Sequence, residues 1–190
     1  MLTIIMGKAG SGKDCVINEL KKVGFKQIIA YTSRPRRKGE REGREYHYIS
    51  DGEFIDKHSR GFFAEVKAYN VDGKLWRYGS PANEIINALN DDKNHIIILT
   101  PKGAVDVIKF LKEHPSSNNA KIIYLYANQK TILKRLKKRK DKDDSIQRRM
   151  KADNSDFKDA ISLADYIIYN NDGDDIVRVV EKIIKCVSNN

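Results

Sequence analysis

The run Leu2-Thr3-Ile4-Ile5-Met6, followed at once by Gly7-Lys8-Ala9-Gly10-Ser11-Gly12-Lys13, decides the fold of this chain. The first part is a short unbroken apolar segment, as expected of a parallel strand buried on both faces. The second fits the spacing glycine, four residues, glycine, lysine. Beyond it, Val16, Ile17 and Leu20, with Glu19, Lys21 and Lys22 between them, make one apolar face at helical spacing. Strand, glycine loop and helix arrive in the order a phosphate-binding loop needs. Glycines let the backbone curl so that several N–H groups point at one oxyanion; the helix N-terminus adds partial positive charge and Lys13 a full one. The loop is built to hold a polyphosphate, the competing reading being a structural turn or a loop that has lost its ligand. Where such loops place Ser or Thr to give magnesium a hydroxyl, this chain has Asp14, followed by Cys15. A carboxylate is also a hard oxygen ligand, so Asp14 is the candidate metal ligand, directly or through a water. Capping the helix is its alternative role.

A length of 190 residues suits one domain, with room for a subdomain and a lid. The first apolar run is too short for a signal peptide and lacks a basic lead, and no later run approaches membrane length, so the expectation is a cytoplasmic protein. Cys15 and Cys186 have no metal-type spacing and imply no disulfide framework. His47, His58, His95 and His114 are scattered, and no metal role is assigned to them. The formal net charge of +10 implies affinity for polyanions. Much of the excess lies in Lys134-Arg135-Leu136-Lys137-Lys138-Arg139-Lys140-Asp141-Lys142, but no aromatic residues interleave with those cations as stacking platforms. Neither a nucleic-acid nor a membrane partner is expected, and the oligomeric state is left open.

Along the chain, residues 26–30 read as a second short strand. Residues 31–48, YTSRPRRKGEREGREYHY, are too basic for a core and read as a loop over an anion, ending in an aromatic strand at Tyr46-His47-Tyr48-Ile49. A short helix capped by Asp51 follows, with Phe54 and Ile55 inward. Strands at 62–66 and 75–78 are joined through Asp72-Gly73, a hairpin dipeptide. Ser80-Pro81 reads as a helix start leading to Ile85, Ile86 and Leu89. Strands at 95–100, 121–127 and 166–169 then alternate with helices at 103–113, 129–139 and 174–186, and a charged break at 140–144 separates two helices. This rhythm predicts an α/β fold: a parallel sheet covered by helices on both faces.

Arg34, Arg37, Gly39, Glu40, Gly43 and Tyr46 follow the phosphate loop at a spacing that resembles the guanylate kinase signature, opened here by Thr32-Ser33-Arg34. The resemblance runs over essentially the whole chain. It implies a P-loop fold with core segments at 1–30 and 81–190, a small β-rich nucleoside-monophosphate (NMP) insert at 31–80 and a helical lid at about 136–155. It also implies transfer of the γ-phosphoryl group of ATP, with Mg2+, to GMP or dGMP. On that resemblance Gly7, Ala9, Gly10, Ser11, Gly12, Lys13, Asp14 and Asn170 would hold ATP. Arg34, Arg37, Tyr46 and Tyr78 would hold the acceptor phosphate, Glu65 and Ser80 would read the base, and Lys13, Arg139 and Arg149 would be catalytic. Arg36, Arg41, Arg44 and Arg148 read as solvated neighbours, Arg135 stays ambiguous, and Tyr48 reads as packing.

Two departures stand out. The family places a base-contacting serine where this chain has Ala30, and an Asp-x-Asp run where it has Ile98 and Thr100. With the acidic run gone and Asp14 gained, the carboxylate near magnesium reads as relocated. Two other readings remain. One is a related kinase with another acceptor, either a different NMP or ribose 1,5-bisphosphate, whose kinases the chain also resembles in Gly12-Lys13-Asp14 and Asn170-Asn171-Asp172-Gly173. The other is a non-catalytic guanylate-kinase-like binding module, against which Lys13 and the lid arginines speak.

Overall fold

The protein is seen in a computed structural model that describes residues 1–113, 120–139 and 146–188. In chain order the elements are β1 (Leu2–Met6), α1 (Lys13–Lys22), β2 (Lys26–Gln27), β3 (Tyr31–Thr32), β4 (His47–Tyr48), α2 (Asp51–Ser59), β5 (Phe63–Val71), β6 (Lys74–Pro81) and α3 (Ala82–Asn90). There follow β7 (His95–Ile98), α4 (Pro101–Lys112), β8 (Ala120–Tyr126), α5 (Gln129–Arg139), α6 (Ile146–Asp156), α7 (Ala160–Leu163), β9 (Tyr166–Tyr169) and α8 (Ile176–Ser188).

β1 is buried along its whole length because it is the middle strand of a five-stranded parallel sheet, ordered β2-β7-β1-β8-β9. Its side chains alternate between two cores. Leu2, Ile4 and Met6 pack with Ile85, Leu89, Val107 and Leu111 of α3 and α4. Ile5 points the other way and packs with Val16, Ile17, Leu20, Val179 and Ile183 of α1 and α8. An apolar residue is needed at nearly every position when both faces are covered, which is why the run carries no alternation. Thr3 is the exception, a buried hydroxyl with no partner among the described residues.

A second, four-stranded sheet, β4-β3-β6-β5, is built wholly from the region between β2 and α3; β3 and β4 pair in parallel and the rest antiparallel. Asp72 (φ 51°) and Gly73 (φ 77°) both sit in the left-handed region, as a two-residue turn of the primed type requires. The hairpin extends further than expected, from Phe63 to Pro81. Its length places Glu65, Lys67, Tyr69, Val71, Trp76, Tyr78 and Ser80 on one face by period-two alternation.

Several boundaries differ from the sequence reading. β2 ends at Gln27, because Ile28 contributes an N–H to Ile96 O and then leaves the sheet. Ser50, not Asp51, caps α2 through a reciprocal capping box with Glu53. Phe54 is inward, stacked 4.5 Å from Phe63, but Ile55 is exposed. Ser80 does not cap α3: it is still paired in β6, and its hydroxyl is committed to Glu65. β7 stops at Ile98, and Thr100 Oγ1 instead caps α4 by accepting Gly103 N–H at 3.2 Å. α8 starts at Ile176. The expected break at 140–144 lies outside the described residues. Among the described residues no helix is long and apolar enough to cross a membrane.

Candidate active site

The glycine loop leaves the C-terminal end of β1 and feeds α1, and its shape is held from below. Gly12 is the N-cap of α1 with φ 94°, and a Cβ there would lie 2.4 Å from Asn170 Nδ2, so both conformation and space demand glycine. Asn170 is buried and its amide donates to Ser11 O at 2.8 Å. That bond props the loop from the segment after β9. Arg135, ambiguous in sequence, does the same: Nη1 donates to Gly10 O, Ser11 O and Asn170 O, and Nη2 to Asn171 O. One fork thereby ties α5, the loop and the segment after β9 together. Lys13 Nζ donates to Gly7 O at 2.6 Å and Lys8 O at 3.0 Å, an ammonium folded back over its own loop. Ser11 Oγ is buried with no partner among the described residues. Asp14 is exposed in the first turn of α1; with Gly12 as N-cap, it does not fill the capping position.

Across the cleft stands an arginine–tyrosine cluster. Arg34 is buried and forms a two-bond pair with Glu40 at 2.9 and 3.0 Å, its guanidinium lying 5.5 Å from the Tyr46 ring and 5.7 Å from Tyr48. Glu40 also accepts Arg37 N–H at 2.7 Å and Tyr48 OH at 2.8 Å. Burial would push Glu40 upward, but these bonds outweigh it and hold the carboxyl below its ordinary range. Tyr48, read as packing, is thus a polar member of this network, and Glu40 is the group that fixes Arg34. Tyr46 lies 5.6 Å from Tyr78, and burial, then Tyr78, push its phenol well above the ordinary value, so it remains a neutral donor.

Two adjoining cavities of about 300 and 500 Å³ join the walls, sharing Ala9, Lys13, Arg37, Tyr46, Tyr78 and Ile98. Asp14, Arg34 and Gly12 line the larger one. The smaller one runs under the hairpin, lined by Glu65, Ser80, Ala30 and Thr100. Ser80 hydroxyl donates to Glu65 Oε1 at 2.7 Å. Burial raises the Glu65 carboxyl and Asp106 adds to it, while the Ser80 bond opposes. Arg148, read as a solvated neighbour, lines this cavity. Arg139 ends α5 and Arg149 lies in α6, but their side chains are outside the described residues, so the lid-arginine assignment is not placed.

Helix α6 closes one side. Asp153 Oδ2 accepts Ala9 N–H at 2.7 Å, and Lys8 Nζ donates to Asn154 at 2.8 Å. Asp156 accepts from Lys67 Nζ at 2.6 Å and Tyr69 OH at 3.0 Å. Sequence reasoning named Glu40 only as part of the signature, left Arg135 ambiguous, and missed Asp153 and Asp156, whose partners lie 87 to 144 residues away and leave no local pattern. The Gly39-Glu40 pair was the one available signal.

Glycine loop, facing arginine–tyrosine cluster and parallel α/β sheet together define a phosphate-handling protein of the P-loop class. A sequence profile described as guanylate kinase matches residues 1–187. The chain belongs to the guanylate kinase family, and with it to the nucleoside monophosphate kinases, a class of phosphotransferase. A guanylate kinase of Lawsonia intracellularis is 32% identical over 172 residues, covering 88% of this chain and 76% of its own. One of Cupriavidus metallidurans is 30% identical over 191 residues, covering 96% and 82%. The crystal structure of guanylate kinase from Anaplasma phagocytophilum matches the fold with a TM-score of 0.70 at 21% identity, over 98% of this chain and 84% of that one.

Proposed function

We propose that this protein transfers the γ-phosphoryl group of ATP to GMP or dGMP, giving the diphosphate. The observation that carries this reading is one cleft with two anion-holding walls: the glycine loop with Lys13 on one side, Arg37, Tyr46 and Tyr78 on the other. Phosphoryl transfer needs little covalent help; it needs in-line placement and positive charge over the migrating group. Gly7, Ala9, Gly10, Ser11, Gly12 and Lys13 would hold the ATP phosphates, with Arg135 and Asn170 keeping the loop in shape. Arg34, steadied by Glu40, would join Arg37, Tyr46 and Tyr78 on the acceptor phosphate by charge-assisted bonds. Arg139 and Arg149 would add charge from the lid.

Among the described residues no group of three or more His, Cys, Asp or Glu would hold a metal by protein ligands alone. The donor set fits magnesium held by one carboxylate plus substrate phosphates, and Asp14 on the cleft wall is that carboxylate. Magnesium, when bound, supplies positive charge to the β- and γ-phosphate oxygens.

Glu65 is the guanine-reading group: a carboxylate held by Ser80 against the N-terminus of α4, with Gly103 leaving room for its second oxygen. The Ala30 side chain offers no hydrogen bond, and Thr100, whose Oγ1 accepts the Gly103 N–H, brings a hydroxyl in place of a carboxylate. Each missing base contact is worth about 0.5–1.5 kcal/mol, so specificity falls more heavily on Glu65 and Ser80. ADP production from Mg-ATP with GMP, dGMP, AMP, CMP, UMP, dTMP and ribose 1,5-bisphosphate offered singly tests the reading. Turnover confined to the guanine nucleotides is expected; turnover only on another acceptor, or none at all, would sink it.

A further inference from the structure

Asp153 and Asp156 lie one turn apart on the same face of α6, and each is bonded to a different wall of the cleft. Asp156 reaches the hairpin at Lys67 and Tyr69. Asp153 reaches the glycine loop itself, taking the Ala9 N–H at 2.7 Å, while neighbouring Asn154 accepts from Lys8 of the same loop. Directly after them Phe157 is buried in the core beside Tyr124, so the C-terminal end of the helix is anchored and its acidic face is aimed. A carboxylate oxygen and a phosphate oxygen make the same demand on a backbone N–H, and a loop of curled amides serves either. One N–H directed at Asp153 is not available at full strength to a phosphate.

We propose that Asp153 is a built-in competitor for the phosphate loop: its carboxylate and the polyphosphate of the nucleotide contend for the Ala9 N–H, so nucleotide entry releases α6 from the loop. The idea rests on the assignment of this loop to ATP. Electrostatics points the same way, since a carboxylate at the loop also repels an arriving triphosphate. The Asp153 side chain is only half-buried on a helix surface, so its replacement leaves the core intact.

The test is calorimetric titration of the full chain, wild type against Asp153→Asn and Asp153→Ala, with ATP and with inorganic triphosphate, each with and without magnesium. Thermal melts run first establish that the variants are folded; Ala removes the acceptor and the charge together, whereas Asn keeps an oxygen for the Ala9 N–H and removes the charge, so Asn tests the electrostatic part of the competition if Ala unfolds. Binding of both ligands is expected to tighten by about threefold to thirtyfold in the variants, whether or not magnesium is present. Unchanged binding overturns the proposal. Weaker binding, above all if confined to the magnesium arm, overturns it too and makes Asp153 a helper of the bound metal–nucleotide. Failure of every protein, wild type included, to bind either ligand overturns the kinase reading itself and the competition with it. Binding at equal affinity by wild type and variants removes the competition alone.

Discussion

Glu65 carries a cost that its neighbours do not remove. Burial raises its carboxyl above the ordinary 4.5, with Ser80 opposing. A carboxyl raised in the folded state favours the protonated form, so its contribution to stability is present at low pH and is lost as pH rises from 4.5 through the raised value. On the proposed reading, acceptor binding through the carboxylate runs the other way over the same window. Glu65→Gln keeps an oxygen for Ser80 but removes the charge. It is expected to hold or raise the melting temperature at pH 7, while the KM for GMP rises about tenfold to a hundredfold, from loss of a charged hydrogen bond of about 1.5–3 kcal/mol. Steady-state kinetics beside a thermal melt reads both; a lower melting temperature with unchanged KM would make Glu65 a structural residue. Asp14→Ala should lose far more activity than Asp14→Ser, because a hydroxyl still binds magnesium; equal activities would mean the carboxylate is incidental. That Lys13 and Asp14 face the cleft was legible in the sequence, because loop spacing alone fixes their positions. The role of Asp153 was not, because it is set by where a distant segment brings its partner; Glu40 stood in the signature, but its pairing with Arg34 was not read from it.

At the scale of elements, Arg135 shows how a helix, a loop and the segment after a strand become one unit. Its fork satisfies carbonyls of Gly10, Ser11, Asn170 and Asn171. Arg135→Ala leaves them without that donor and is expected to cost about 2–4 kcal/mol, a fall of about 5–15 °C in melting temperature for a domain of this size. Arg135→Lys should recover only part, since an ammonium lacks the planar fork. A differential scanning experiment checks both; melting within about 2 °C of wild type for the alanine variant would show that the loop keeps its shape unaided. Elements with strong period or turn chemistry were readable: the helix at 129–139, the strand at 166–169 and the Asp72-Gly73 turn stand where the pattern put them. The start of α3 was not, because Ser80-Pro81 reads equally well as a cap and as the end of a strand. Pairing with Glu65 across the hairpin decides it, and that pairing is tertiary.

For the whole molecule, the charge of +10 belongs with anionic substrates. A field of that sign raises encounter rates and is screened by salt. Raising ionic strength from about 0.05 to 0.5 M should lower kcat/KM for ATP and GMP by roughly threefold to tenfold while changing kcat less than about twofold. Insensitivity of kcat/KM would confine the charge to local roles. Alternating apolar strands and amphipathic helices made the α/β class legible. Strand order was not, since no residue in β1 records that its neighbours are β7 and β8.

That order has a consequence for how the chain comes into being. β1 lies between strands that begin at His95 and Ala120. At a synthesis rate of about 5–20 residues per second, this buried apolar strand waits on the order of ten seconds on the ribosome before either neighbour exists. The hairpin and its small sheet, made from residues close together in the chain, can meanwhile close. The hairpin sheet therefore can form before the glycine loop has a parallel sheet to stand on, and β1 is the stretch a chaperone would meet first.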